Sequence, residues 1–257
     1  TGLGYAFTQG SGLNRRFVYQ ALTALYRRAL EPAESVIFQN PDDRALFLER
    51  GILGDPDHAH WVNGSGVDLG AFPPKSLPEE PVFLMVARLV ADKGVREFVA
   101  AAREVRKTHP QARFRLAGGL DPNPAGITSK ELEAWIDECV IEYLGPVHPI
   151  QPELERCLFY VLPSYREGTP RSVLEALATG RPVITTDAPG CRETVVPDEN
   201  GLLVPPRDTQ ALADAMVELI ESPQEKVERM AEASLALAQE KFDVHAVNQK
   251  LVDIMGL

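Results

Sequence analysis

The order of apolar and polar positions divides the chain into a short, irregular first part and a long, regular second part. Residues 13–30 place Val18, Leu22, Leu25 and Ala29 on one stripe at helical spacing, which predicts an amphipathic helix. Ser35–Phe38 is a short apolar strand. Pro41 and Asp42 open a second helix that runs through Glu49 and stops at Gly51. His58–Val62 reads as another short strand, and Asn63-Gly64-Ser65-Gly66-Val67-Asp68 as a turn-rich loop. The segment 72–81 carries four prolines and reads as a linker.

From residue 82 the alternation is regular. Apolar strands are predicted at 82–87, 114–117, 140–144, 159–162, 182–186 and 202–204. Between them lie helices at 95–107 (Val95, Phe98, Val99, Ala102 and Val105 inward), at 131–138, near Glu153 and after Pro170. Three more follow at 209–221, 224–240 and about 244–255. Near-continuous apolar strands that alternate with helices specify an α/β class, a Rossmann-like doubly wound parallel sheet. In such sheets ligands bind beyond the carboxyl ends of the strands. The expected organisation is 1–62 as the remnant of an upstream domain, 63–81 as linker, 82–241 as the ligand-binding domain, and 242–257 as a terminal helix crossing back to the first part. The opening Thr1-Gly2-Leu3-Gly4 has no initiator Met and reads like the middle of a longer protein.

Charge narrows the chemistry. The chain has 257 residues and a net charge of −11, which disfavours broad nucleic-acid binding. Residues 1–31 nevertheless carry Arg15, Arg16, Arg27 and Arg28 against Glu31 alone, while 208–241 holds eight acids and three bases. An acidic protein that binds a phosphate must use a few placed cations and backbone amides rather than its overall field. Cys139, Cys157 and Cys191 are scattered, with no C-x-x-C pair. That argues for a reducing, cytoplasmic setting and against a disulfide framework or zinc site, with two thiols in or beside apolar segments read as buried. Asp55-Pro56-Asp57 mimics an Asp-x-Asp metal motif but follows no apolar strand, so it reads as a turn. His58 and His60 are placed on one face of a strand without a third ligand nearby. Gly118-Gly119 is not a dinucleotide fingerprint.

Two clusters fall just after predicted strands. In Arg88-Leu89-Val90-Ala91-Asp92-Lys93-Gly94, two cations and a helix start would meet an anion. Ordinary surface charges fit this stretch equally well. In Ser164-Tyr165-Arg166-Glu167-Gly168-Thr169-Pro170-Arg171-Ser172-Val173-Leu174-Glu175, Thr169 is the expected N-cap and Pro170 the first helical residue. Gly168 leaves room for a ligand to reach the backbone. Glu167 then lies in a pocket mouth, where its carboxylate can accept sugar hydroxyls. Glu175 lies about two turns further on, partly buried, and needs a partner: the hydroxyls of a ribose, or a nearby arginine.

Arg88 and Lys93 at this spacing, with E-x7-E at Glu167 and Glu175, resemble glycosyltransferase family 4, which has the GT-B fold. Supporting phrases are Asn63-Gly64-Ser65-Gly66-Val67-Asp68, Tyr143-Leu144-Gly145-Pro146-Val147, Leu162-Pro163-Ser164, Leu174 through Val183, and Asn200 through Pro206. The resemblance covers nearly all of 60–220. It implies a retaining transferase with Arg88, Lys93 and Glu167 as catalytic residues: the two cations hold the donor diphosphate and Glu167 contacts the donor sugar. It implies donor contacts from Gly66, Gly168, Thr169, Pro170 and Arg171, ribose contacts from Glu175, and backbone near Val147 facing the base. No divalent metal and no cofactor is implied. The wording of 164–172, with Phe38-Gln39-Asn40-Pro41-Asp42-Asp43-Arg44 upstream, is similar to bacterial members that extend lipid-linked or capsular glycans. The implied partners are therefore a nucleotide sugar, commonly a UDP-hexose or UDP-N-acetylhexosamine, and a glycan or polyprenyl-linked acceptor. The basic helix 13–30 suits peripheral contact with an anionic membrane surface, and burial of its stripe inside an upstream domain fits it as well. The acceptor-side loop of the family is not in this chain, which predicts donor binding without turnover. A sugar phosphorylase, a nucleotide-sugar epimerase and a non-catalytic binding module remain as competing functions.

Overall fold

A computed structural model describes residues 13–257, with side chains from residue 20 onward. Helix α1 (Leu13–Leu30) leads to strand β1 (Val36–Phe38), α2 (Pro41–Glu49) and β2 (Ala59–Trp61). β1 and β2 pair in parallel as a separate two-stranded sheet. Phe38, Phe47, Ile52, Leu53 and Ala59 form a small core there, onto which Tyr26 and Leu30 pack. The stripe predicted for the first helix is therefore rotated. Tyr26 meets the Phe47 ring edge-on at 5.6 Å, while Leu25 is 65% exposed and Ala29 is also exposed. The side chains of Arg15, Arg16 and Val18 lie outside the described residues, as do Thr1 through Gly4. His58 belongs to a 3₁₀ turn, Pro56–His58, and not to the strand, so it does not share a strand face with His60. Asp55 caps that turn by accepting from the Asp57 amide at 2.9 Å.

The larger unit contains β3 (Val82–Val86), α3 (Val95–Thr108), β4 (Arg113–Ala117), α4 (Ser129–Asp137), β5 (Glu142–Gly145), α5 (Gln151–Arg156), β6 (Phe159–Leu162), α6 (Arg171–Ala178), β7 (Val183–Thr186) and β8 (Gly201–Val204). Helices α7 (Thr209–Glu221), α8 (Gln224–Lys241) and α9 (Val244–Met255) complete it. The strands form one parallel sheet in the order β5-β4-β3-β6-β7-β8. α3 packs against α7 and α6 against α8. Val95, Phe98, Val99, Ala102 and Val105 are all buried, as their spacing predicts. Helix α4 begins two residues earlier than expected. Thr128 caps it in a capping box with Glu131, a start signal that lies upstream of the apolar periodicity.

The chain order reverses between β3 and β6. In a doubly wound sheet this switch point opens a crevice at the carboxyl ends of its two strands. Residues following β3 and β6 are thus brought together by topology, although they are far apart in sequence. The proline-rich segment 72–81 is fixed from below by the fully buried Arg181, whose guanidinium donates to the carbonyls of Lys75 (3.3 Å) and Ser76 (3.1 Å). α9 returns to the small sheet, where the Lys250 ammonium sits 4.9 Å from the Trp61 ring centre.

Candidate functional site

At the switch point lies a cleft of about 380 Å³, lined among others by Val86, Ala87, Arg88, Lys93, Leu162, Glu167, Gly168, Thr169, Pro170, Arg171 and Ser172. Larger hollows occur elsewhere, for example between Pro78, Glu80, Arg113 and Arg156 at the opposite end of the sheet. The cleft at the strands' carboxyl ends is the one that collects the cations and the E-x7-E loop.

Lys93 is carried by a 3₁₀ turn, Ala91–Lys93, that ends at Gly94 with φ +73°. A Cβ on Gly94 would stand 2.1 Å from the Pro163 carbonyl oxygen, so only glycine lets the loop after β3 press onto the loop after β6. The Asp92 carbonyl then accepts from the Tyr165 amide (2.9 Å). In this packed arrangement the Lys93 ammonium forms an ion pair with Glu167 Oε1, which also accepts from the Ser164 hydroxyl at 2.7 Å. Both charged side chains are mostly buried, at 21% and 12% exposed. Charges so far out of water are held by their pairing and hydrogen bonds.

Arg88 stands at the rim, 72% exposed, and donates to Asp121 Oδ2 at 2.8 Å. Arg171 Nε lies 3.0 Å from Glu175 Oε1. The Glu175 side chain is 12% exposed and sits behind Arg171, outside the lining of the cleft. Burial raises its carboxyl pKa, and the Arg171 charge partly offsets the rise. Of the two partners open to Glu175, the arginine is present in this structure.

The sequence places the helix start one residue too early. α6 begins at Arg171 with Pro170 in the cap position, and Thr169 is not the N-cap. The Thr169 hydroxyl donates instead to the Gln39 carbonyl at 2.8 Å. Among the described residues, the amides of Gly168, Thr169, Arg171 and Ser172 donate to no protein acceptor, so this end of α6 presents free N–H groups. Gly66 is not a residue of the cleft either. Its backbone, at φ +70°, passes against the start of α9, where a Cβ would lie 2.6 Å from Val244 Cα. Gly64 is the glycine of that phrase that approaches the site, 2.6 Å from Thr169 Cβ by the same measure. Val147 follows β5 and does not line the cleft.

Sequence reasoning missed Gln39, Asn40 and Ser164 as parts of the site. Asn40-Pro41 signals a helix start, and Asn40 does cap α2. That signal says nothing of what its side-chain amide does across the seam. Among the described residues, no cluster of three or more His, Cys, Asp or Glu side chains is arranged to hold a metal ion. No described helix is long and apolar enough to cross a membrane.

A family model described as glycosyl transferases group 1 matches residues 80–222. Over 98% of its length the chain is 27% identical to a Campylobacter jejuni protein, N,N'-diacetylbacillosaminyl-diphospho-undecaprenol alpha-1,3-N-acetylgalactosaminyltransferase, of which it spans 68%. Sucrose-phosphate synthase from Thermosynechococcus elongatus superposes with a TM-score of 0.80 at 27% identity, over 92% of this chain and 61% of that one. The Anabaena protein HepE, solved in complex with UDP, superposes with a TM-score of 0.79 at 24% identity, over 91% and 68%. The chain thus spans roughly two thirds of the length of each of these proteins. With the match covering more than half of the chain and a parallel sheet that resembles GT-B C-terminal domains, the chain belongs to the group 1 glycosyl transferases.

Proposed function

We propose that this chain supplies the donor-binding half of a retaining, metal-independent glycosyltransferase. It moves a hexose or N-acetylhexosamine from a UDP-sugar to a lipid-linked or polysaccharide acceptor. The single observation that carries this reading is the convergence of Lys93, Arg88, Glu167 and the unbonded amides of Gly168, Thr169, Arg171 and Ser172 on one cleft at the switch point. Cations and helix N-terminal amides are what a diphosphate needs, and carboxylates are what sugar hydroxyls need. HepE holding UDP in the same fold supports a uridine nucleotide, and the Campylobacter relative's name supports an acceptor on diphospho-undecaprenol.

In this reading Lys93 and Arg88 take the charge that builds on the leaving diphosphate, a task for which other enzymes use a divalent cation. The amides of Gly168, Thr169 and the first turn of α6 take phosphate or sugar oxygens. Glu167 accepts sugar hydroxyls, and Glu175 accepts the ribose hydroxyls once Arg171 swings out. The acceptor hydroxyl approaches the same face of the sugar that the diphosphate leaves, so the anomeric configuration is kept. The chain alone binds donor without turning it over.

Titration calorimetry with UDP, UDP-glucose, UDP-N-acetylglucosamine, ADP and GDP in the presence of EDTA tests the reading. UDP and a UDP-sugar binding with an affinity that Lys93→Ala weakens at least tenfold is the expected result. No binding of any of these, or binding unaltered in Lys93→Ala, overturns it.

A further inference from the structure

The loop 167–169 is gripped from outside the donor-binding unit. Asn40, at the start of α2, is completely buried. Its Oδ1 accepts from the Asp43 amide at 2.8 Å, which is the helix cap. Its Nδ2 donates to Asp43 Oδ2 (3.2 Å), to the Glu167 carbonyl (3.2 Å) and to the Gly168 carbonyl (2.8 Å). The grip is flanked by the Thr169 hydroxyl on the Gln39 carbonyl, by the Arg166–Asp43 ion pair, and by Arg192 on Asp42 at 2.6 Å. Gly168 admits Gln39, since a Cβ there would lie 2.1 Å from Gln39 Oε1.

Peptide geometry gives this grip a consequence. In a trans peptide the N–H points opposite to the C=O. The Glu167 carbonyl shares its peptide with the Gly168 amide, and the Gly168 carbonyl shares its peptide with the Thr169 amide. Holding both carbonyls on Asn40 aims both amides away from it. The carbonyl side is filled by protein: a Cβ on Gly190 would be 2.3 Å from the Glu167 oxygen and 2.5 Å from the Gly168 oxygen. The amide side has no acceptor among the described residues and belongs to two residues that line the cleft.

We infer that Asn40 is a positioning residue: its side-chain amide fixes two consecutive peptides so that the Gly168 and Thr169 N–H groups face the donor's phosphate. Asn40 thereby sets the geometry of a cleft that it does not itself line. This rests on the donor-site reading above. The cost of losing the grip is paid in phosphate recognition, not in recognition of the nucleoside.

Two substitutions separate this role from helix capping. Asp and Ser both cap helices well, so Asn40→Asp and Asn40→Ser keep an acceptor for the Asp43 amide. Asp is nearly isosteric but sets a carboxylate against two carbonyls and the Asp43 carboxylate, and Ser is too short to reach the carbonyls. The probes are UDP and uridine, titrated into the ¹⁵N-labelled 257-residue chain. In the wild type, UDP shifts the Gly168 and Thr169 amide resonances and uridine leaves them in place. In the variants UDP binds about tenfold more weakly, the two resonances no longer respond, and uridine affinity is unchanged; should the Asp variant fail to fold, the Ser variant carries the test. Folded variants that bind UDP like the wild type, or that lose UDP and uridine alike, overturn the inference, as do wild-type Gly168 and Thr169 resonances indifferent to bound UDP. A wild-type chain that binds no UDP at all sinks the donor-site reading instead, which the variants then do not need to address.

Discussion

Replacing Glu167 with Gln removes one charge and almost nothing else. The Gln oxygen still accepts from the Ser164 hydroxyl, held at 2.7 Å in the wild type. What disappears is the anionic partner of Lys93, and both members of that pair are largely buried, at 21% and 12% exposed. Two opposite effects follow. The ligand-free protein loses a charge-assisted bond but keeps a neutral acceptor beside the ammonium, a cost of about 1–2 kcal/mol. For a chain of this size that lowers Tm by about 2–8 °C. Anion binding moves the other way. A carboxylate about 5 Å from a phosphate repels it by about 3 kcal/mol at an effective dielectric constant of about 20, and an open, wet cleft reduces that to about 1 kcal/mol. Lys93 also no longer has to leave a partner. UDP should therefore bind about fivefold more tightly to Glu167→Gln. Differential scanning fluorimetry of the apo protein and calorimetric titration of UDP measure the two terms separately. A variant with unchanged Tm, or one that binds UDP equally or more weakly while folded, refutes the idea that Glu167 holds Lys93 in reserve for a phosphate.

Other expectations follow from single contacts. Burial raises the Glu175 carboxyl pKa, so the folded state holds this proton more tightly than the unfolded chain. Its contribution to stability is greatest below the unfolded value and is lost as pH rises through the raised folded value; above that, the penalty for burying the charge is complete. Glu175→Gln should thus raise Tm at pH 7 and leave it unchanged at pH 4, and should weaken UDP binding, as thermal scans at both pH values with and without UDP will show. Gly94→Ala places a side chain at φ +73° and 2.1 Å from the Pro163 oxygen, which should cost at least about 2 kcal/mol in urea unfolding. A smaller loss would mean that the β3 and β6 loops do not press together. Cys157 and Cys191 are buried and their thiols are pushed up to about 12 by that burial, whereas Cys139 is exposed. A thiol-reactive chromophore at pH 8 should therefore label one cysteine quickly in the native protein and all three in denaturant.

How far the sequence reaches can be judged from particular residues. The centre of the sheet was legible because β3 and β6 are apolar throughout and the helices carry long stripes, as α3 does from Val95 to Val105. The placement of Lys93 and Glu167 after their strands was legible for the same reason. That the two side chains touch was not, since it depends on strand order, which no local pattern encodes. Thr169 has the chemistry of a cap, and tertiary structure diverts its hydroxyl to Gln39. Leu25 fits the stripe of α1 as well as Tyr26 does, and the edge contact of Tyr26 with Phe47 decides the rotation. Gly64 and Gly66 are indistinguishable as letters; which one lies at the cleft depends on where α9 and Thr169 happen to pass.

The pairing of cations in the cleft bears on selectivity. Lys93 is held by Glu167, Arg88 by Asp121 and Arg171 by Glu175, so each cation that lines the cleft already has a carboxylate. A bare anion must break these pairs and leave the acids facing the charge it brings. On the proposed function, a nucleotide sugar would break the same pairs but offer the freed carboxylates hydroxyl donors, from the sugar for Glu167 and from the ribose for Glu175. On that reading the acids would penalise inorganic phosphates and reward the full donor, a form of specificity built from repulsion as well as attraction. On a chain whose net charge is −11 no general attraction masks the difference. Pyrophosphate should accordingly bind at least about a hundredfold more weakly than a UDP-sugar, a gap of about 2.7 kcal/mol. The gap should narrow about tenfold in a Glu167→Gln, Glu175→Gln double variant. Pyrophosphate binding within tenfold of the UDP-sugar in the wild type, or a gap untouched by the double substitution, would show that the carboxylates take no part in choosing the ligand.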